Sequence, residues 1–148
     1  MAAIRRSLRI HAPAAVVWPV LARVTAWPDF LPMIESVVPL DGPNLKPGAR
    51  FYIHQKGVQE TTWTVEEVVP SRSFSWKAYA SGTFLTASHA LEPDGQDAVV
   101  VTLEFRMSGA LGMAAGLLMK GKAERYMEAE LEGIRARAEA KRGAGRAA

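Results

Sequence analysis

"AVVVTLEFRMSGALGMAAGLLMKGKAERYMEAELEGIRARAEA", residues 98–140, changes its hydrophobic period part-way along. Val99, Val101, Leu103, Phe105 and Met107 alternate with Val100, Thr102, Glu104 and Arg106, the period of two that turns one face of a strand toward a core. From Met119 the apolar residues Met119, Ala123, Tyr126, Met127, Leu131, Ile134 and Ala138 recur at helical spacing, with Glu and Arg opposite. That pattern predicts one amphipathic helix about 30 Å long, with Glu124, Glu128 and Glu132 facing water. A strand handing over to a long helix at the end of the chain predicts a sheet covered by that helix.

Upstream, "RFYIHQ" (50–55), "TTWTVEEVV" (61–69), "SFSWKAYA" (73–80) and "FLTASHAL" (84–91) are strand-length and rich in aromatic and β-branched residues. Breaks at Gly57, Pro70-Ser71-Arg72, Ser81-Gly82 and Pro93-Asp94-Gly95 separate them by gaps short enough for antiparallel hairpins. A short strand at Val37–Leu40 precedes the turns at Asp41-Gly42-Pro43 and Lys46-Pro47-Gly48, and residues 4–10 alternate as a first strand. Between these two, Val17, Val20, Leu21 and Val24 mark a short helix from about residue 14, with Pro19 near its first turn and Trp18 anchoring it to the sheet. Trp27-Pro28-Asp29-Phe30-Leu31-Pro32 cannot extend that helix and predicts a bent connector. The expected fold is therefore α+β: a curved seven-stranded antiparallel sheet wrapped around a long C-terminal helix, with short helical structure after the first strand. One helix about 10 Å across cannot fill so curved a sheet, and a cavity is expected between them.

Composition narrows the function classes. The 148 residues are 49% hydrophobic and 22% charged, as in an ordinary globular protein, and the expected organisation is one domain over 1–142 with a basic, loose tail at 143–148. Residues 135–148 carry five basic residues and one acid, a net +4, while the remainder has thirteen basic and fourteen acidic residues, a net −1. The basicity thus belongs to the C-terminus, and no basic stripe interleaved with aromatics suggests nucleic-acid binding. With no cysteine there is no thiol chemistry, and three histidines on separate elements give no metal-ligand spacing, so neither metal nor cofactor is expected. The apolar run "GALGMAAGLLMKG" is too short to cross a bilayer, and the N-terminus lacks a signal-peptide pattern, so the expected location is cytoplasmic.

"IHAPAAVVW" with "AWPDFLP", then "PGARF", "WTVEEVVPSRSFSW", "ASHALEPDGQDAVVVTLEF" and "EAELEGIRARAE" follow one another along nearly the whole chain. This ordered set resembles the Bet v 1-like, or START-like, superfamily, and within it the polyketide cyclase/dehydrase and lipid-transport proteins of the SRPBCC group. The resemblance implies a helix-grip fold around a deep, mainly apolar pocket for lipids, hormones or aromatic polyketides. It also places the connector at the pocket border, so Trp27 and Phe30 are expected to touch ligand.

Strand parity supplies the other candidates. If Phe105 faces inward, so do Leu85, Ala87, His89 and Leu91 on the neighbouring strand, and Trp63 and Trp76 add rings to the same interior. Met119, Tyr126 and Met127 face them from the helix. An inward His89 is read as a satisfied core histidine, a hydrogen-bond partner for a ligand, or a proton handler, with Glu35 a second acid–base candidate. His54 and His11 are expected outside. The entrance is expected between the connector, the 41–48 loop and residues 117–120. Three functions stay open: binding or transport of a hydrophobic small molecule or lipid, a cyclase or dehydratase acting on an aromatic substrate, and a protein-interaction module using "ALGMAAGLLM". The expected partner is a hydrophobic small molecule, without nucleic acid or stable membrane insertion, and a homodimer is left open.

Overall fold

A nine-residue strand that alternates from its first residues opens the chain and closes one edge of the sheet. In a computed structural model, which describes residues 2–147, the strands are β1 (Ala2–Ile10), β2 (Ile34–Pro39), β3 (Arg50–Gln55), β4 (Thr61–Val69), β5 (Ser73–Ala80), β6 (Thr83–Pro93) and β7 (Val99–Ser108). They form one antiparallel sheet in the order β1-β7-β6-β5-β4-β3-β2. Each hairpin from β2 onward pairs with its sequence neighbour, and β1 joins the far side of β7. The β5–β6 hairpin turns on two residues, Ser81 (φ 52°) and Gly82 (φ 77°), the left-handed pair that matches strand twist in a tight hairpin.

The inward parity is as read. Val65, Trp76, Ala87, Phe105 and Ile4 make one row across the sheet, and Phe74, His89 and Leu103 make the next. Glu66-Glu67 breaks the alternation of β4, and a register shift between Val65 and Glu67 absorbs the extra residue. Both carboxylates stay exposed and Val68 turns back against the core. Arg6 occupies a helix-facing position of β1 and reaches Glu124 (3.2 Å) and Glu128 (3.6 Å) on the covering helix.

Helix α1 (Ala14–Ala22) follows Pro13 and buries Val17, Val20 and Leu21, with Trp18 half-buried against the core. Pro19 lies in its sixth position rather than its first turn, and the helix persists for nine residues regardless. The connector is not irregular: residues 24–29 form a 3₁₀ turn that includes Trp27-Pro28. Proline disfavours the α region for the residue before it, yet a single 3₁₀ turn accommodates the pair.

The covering helix α2 (Gly112–Ala147) has 36 residues, starting seven before Met119 and continuing through 143–147, where the sequence suggests a tail. Its C-terminal half is the anchored half: Leu131, Ile134 and Ala138 are buried against the core. Gly133 sets how close it comes, since a Cβ there would meet Leu31 Cδ2 at 2.4 Å and the Phe30 carbonyl at 3.1 Å. Leu31 is fully buried and cannot withdraw. Alanine normally gains up to about 1 kcal/mol over glycine in a helix, but at 133 the overlap outweighs it. Gly133→Ala is expected to destabilise the fold by about 1–3 kcal/mol in urea titrations. Gly143→Ala, which meets nothing within 4 Å, is expected to be neutral or stabilising, by at most about 1 kcal/mol.

Candidate functional site

Tight packing at one end of α2 leaves space beneath the other. A cavity of about 700 Å³ lies between the N-terminal half of α2 and the concave face of β3–β7. Such a volume falls in the range of small-molecule sites. Its apolar wall comes from the inward rows: Trp63, Trp76, Leu85, Ala87, Leu103 and Phe105. Met119, Tyr126 and Met127 line it from α2, as their spacing predicts.

Trp27 lines the cavity too, but at its closed end rather than its mouth. It is 2% exposed, donates from Nε1 to the Leu21 carbonyl (3.2 Å), and packs among Trp76 (5.5 Å between centroids), His89 (5.6 Å) and Phe74 (6.4 Å). Phe30 is not at the cavity. It sits half-buried beside the C-terminal half of α2, with the Arg137 guanidinium 5.5 Å from its ring, because Leu31 is the connector residue turned inward.

Strand parity also decides the acid–base candidates. Ile34 is buried, so Glu35 points out of the sheet and lies 3.0 Å from His54 Nδ1, away from the cavity. His54 also approaches Glu60 (3.4 Å), which accepts a hydrogen bond from the Tyr52 hydroxyl and thereby raises the Tyr52 pKa. Glu35 therefore meets His54 at the surface and does not line this cavity. His11 is exposed as expected.

His89 is 4% exposed and lines the cavity. Its register opposite Phe74 stacks the two rings, centroids 4.2 Å apart and 9° from parallel, while Trp76 meets it edge-on at 5.6 Å. Above it, Glu130 of α2 places Oε1 3.5 Å from His89 Nε2. Neither His89 Nδ1 nor Glu130 Oε1 has a hydrogen-bond partner, although both atoms are buried. Most buried polar groups are satisfied, so two unsatisfied atoms on facing residues set this spot apart from the rest of the interior. The sequence reading missed Glu130. Its signal is present, since it lies four residues from both Tyr126 and Ile134, an acid inside the apolar stripe.

The mouth shares with the expected one only the start of α2, where Leu118 and Met119 line it; its other sides are the β3–β4 turn (Gly57, Val58, Gln59), the β5–β6 hairpin (Ser81, Thr83) and Leu111 just before α2. Two side chains tie α2 to this rim: Lys122 Nζ donates to the Gly57 carbonyl and the Tyr126 hydroxyl to the Lys56 carbonyl. The 41–48 loop does not line the cavity. Asp41 holds it to β3 by accepting bonds from Arg50 backbone N (2.9 Å), Nε (3.0 Å) and Nη2 (3.0 Å). The Arg50 bonds lower the Asp41 pKa, so this tie is present above the ordinary carboxylate range and weakens as acid protonates it. Among the described residues no cluster of three metal-ligating side chains forms, and no helix is long and apolar enough to cross a membrane.

The family model described as polyketide cyclase / dehydrase and lipid transport matches residues 1–139. No curated protein sequence matches the chain. Among solved structures, a hypothetical protein from Helicobacter pylori superposes with a TM-score of 0.79 at 17% identity, over 92% of this chain and 87% of that one. The Zhui aromatase/cyclase from Streptomyces sp. R1128 gives 0.73 at 20% identity over 93% of each chain. Norcoclaurine synthase from Thalictrum flavum, a point mutant in complex with a transition-state analogue, gives 0.70 at 14% over 95% of each. At these identities the structures establish a shared Bet v 1-like, helix-grip fold.

The burial of Trp27 makes it core as well as lining. Trp27→Ala is expected to cost about 3–5 kcal/mol of stability, close to the loss from Trp76→Ala, in chemical denaturation of both variants. A cost under about 1 kcal/mol would place Trp27 on a mobile rim instead.

Proposed function

We propose that this chain, which belongs to the polyketide cyclase / dehydrase and lipid transport family, binds a hydrophobic small molecule or lipid in the cavity beneath α2. One observation carries the reading: an apolar cavity of about 700 Å³ lined by His89 and Glu130, two facing residues that each carry a buried polar atom without a hydrogen-bond partner. The apolar body of the guest packs on Trp63, Trp76, Phe105 and Met119. Its polar group hydrogen-bonds His89 and Glu130, which removes the cost of leaving those atoms unpaired, about 1–3 kcal/mol for each.

A second reading uses the same pair for chemistry. An imidazole and a carboxylate 3.5 Å apart in a site walled by aromatic rings can take a proton from carbon beside a carbonyl and return one to a departing hydroxyl. The products are an alkene and water, the balance of a dehydration. Cyclase or dehydratase activity is the form this takes within the family.

Titration with a fluorescent fatty acid, read by quenching of the cavity tryptophans, is expected to saturate at one probe per chain. Ala87→Phe fills the space between Trp76 and Phe105 and is expected to abolish saturable binding without unfolding the chain. Glu130→Gln keeps the shape and removes the charge, and is expected to weaken a polar-headed probe about tenfold, or about 1.4 kcal/mol. Absence of saturable binding by wild type, or unaltered binding by folded Ala87→Phe, overturns the cavity reading. Native mass spectrometry of the purified protein names the guest class, and turnover of a hydroxylated polyketide analogue that His89→Phe abolishes selects the catalytic form.

A further inference from the structure

The mouth of the cavity ends in greasy side chains that the fold does not cover. Leu117 and Leu118 are 78% and 85% exposed, and Leu111 is 56% exposed. Phe84 on the adjoining hairpin is 56% exposed, and both Gly82 and Gly109 lie so close to this group that an added Cβ would touch Leu111 or Phe84 at 3.0–3.1 Å. These residues therefore form one patch at a single tip of the molecule.

The unengaged charge around the patch is mostly lysine. Residues 109–122 contain Lys120 and Lys122 and no acid, the hairpin 79–84 is uncharged, and Lys56, whose carbonyl accepts from Tyr126 of α2, follows β3 at the turn. Glu60, the acid of the β3–β4 turn, is engaged by Tyr52 and His54, and Glu124 by Arg6 (3.2 Å), with Lys120 at 4.0 Å on the exposed helix face as a looser neighbour. An apolar tip collared by lysines is the pattern that combines shallow insertion with attraction to anionic headgroups.

We propose that this tip docks on an anionic phospholipid bilayer surface. A second copy of the chain fits it less well, because a two-fold contact would set lysine collar against lysine collar, and lysine is depleted from interface cores. Leu111, Leu118 and Lys122 belong both to the tip and to the cavity lining. A guest entering here passes from lipid to protein without crossing water; this consequence rests on the cavity reading, whereas the docking itself does not.

The test is co-sedimentation of the full chain with phosphatidylcholine vesicles, with and without about 30% phosphatidylserine. Binding is expected only with phosphatidylserine and is expected to fall with added salt. Leu117 and Lys120 do not line the cavity, so Leu117→Asp and Lys120→Glu are expected to keep both the thermal melt and fatty-acid probe binding. Leu117→Asp is expected to weaken vesicle binding at least about tenfold, and Lys120→Glu about fivefold. No binding to phosphatidylserine vesicles, or wild-type binding by Leu117→Asp, overturns the proposal. So does a wild-type dimer that Leu117→Asp dissolves while vesicles stay unbound. Failure of the probe titration with vesicle binding intact removes the cavity reading alone.

Discussion

The contact of Gly133 of α2 with the Leu31 side chain and the Phe30 carbonyl sets the geometry on which the rest of the structure depends. One helix has to cover the concave face of seven strands, and it can lie close to that face only where side chains permit. At Gly133 the helix backbone rests against Leu31, while Leu131, Ile134 and Ala138 complete the seal. A helix of 36 residues is a rod about 54 Å long, whereas the longest strand, at eleven residues, spans about 37 Å. Seated tightly at its C-terminal half, the rod overhangs the sheet at the other. The cavity and the exposed leucines both follow from this mismatch.

The His89–Glu130 pair sits where the mismatch begins. One turn further along the helix, Ile134 closes the interior completely; one turn back, Tyr126 already reaches for the β3–β4 turn. A polar pair at this boundary is dry enough to be costly and close enough to open space to be reached. An apolar pair of similar volume would stabilise the fold, since unpaired buried polar atoms carry a penalty that packing does not repay. Polar groups kept at such a position cost stability, and the proposed binding role is what would offset that cost.

Period and parity carried most of the fold into view from the sequence. The alternation of Val99 to Met107 and the short hairpin gaps sufficed for the sheet order, and an inward Phe105 led directly to the inward His89. Misreadings arose where residues obey three-dimensional packing rather than period. Phe30 and Leu31 are adjacent apolar residues on a connector, where no repeat says which one turns inward; the helix decides by seating against Leu31. Glu35 was separable from the site only through the burial of Ile34. The true mouth lies at turns whose residues, Gly57 to Gln59 and Ser81 to Thr83, carry no chemical signature of their own. Glu130 was legible in principle, but an acid on an apolar stripe is recognised as exceptional only once the stripe is known to face a cavity.

The same helix decides which wall of the cavity is held least firmly. Its anchored half sets Gly133 against Leu31 and carries Gly143 and Gly145 only beyond that contact, whereas the overhanging half contains Gly112, Gly116 and Gly121 within ten residues. Glycine disfavours the helix by roughly 1 kcal/mol relative to alanine, and exposed leucines supply no packing in return. Local opening follows the segments with least buried surface and fewest ties, and here those ties are the Lys122 and Tyr126 bonds to the β3–β4 turn. Opening the sheet instead would break continuous ladders on both sides of β5, β6 and β7. Release of the first turns of α2 is thus the least costly way to widen the mouth, and it leaves Gly133, Leu31 and the core beneath them in place.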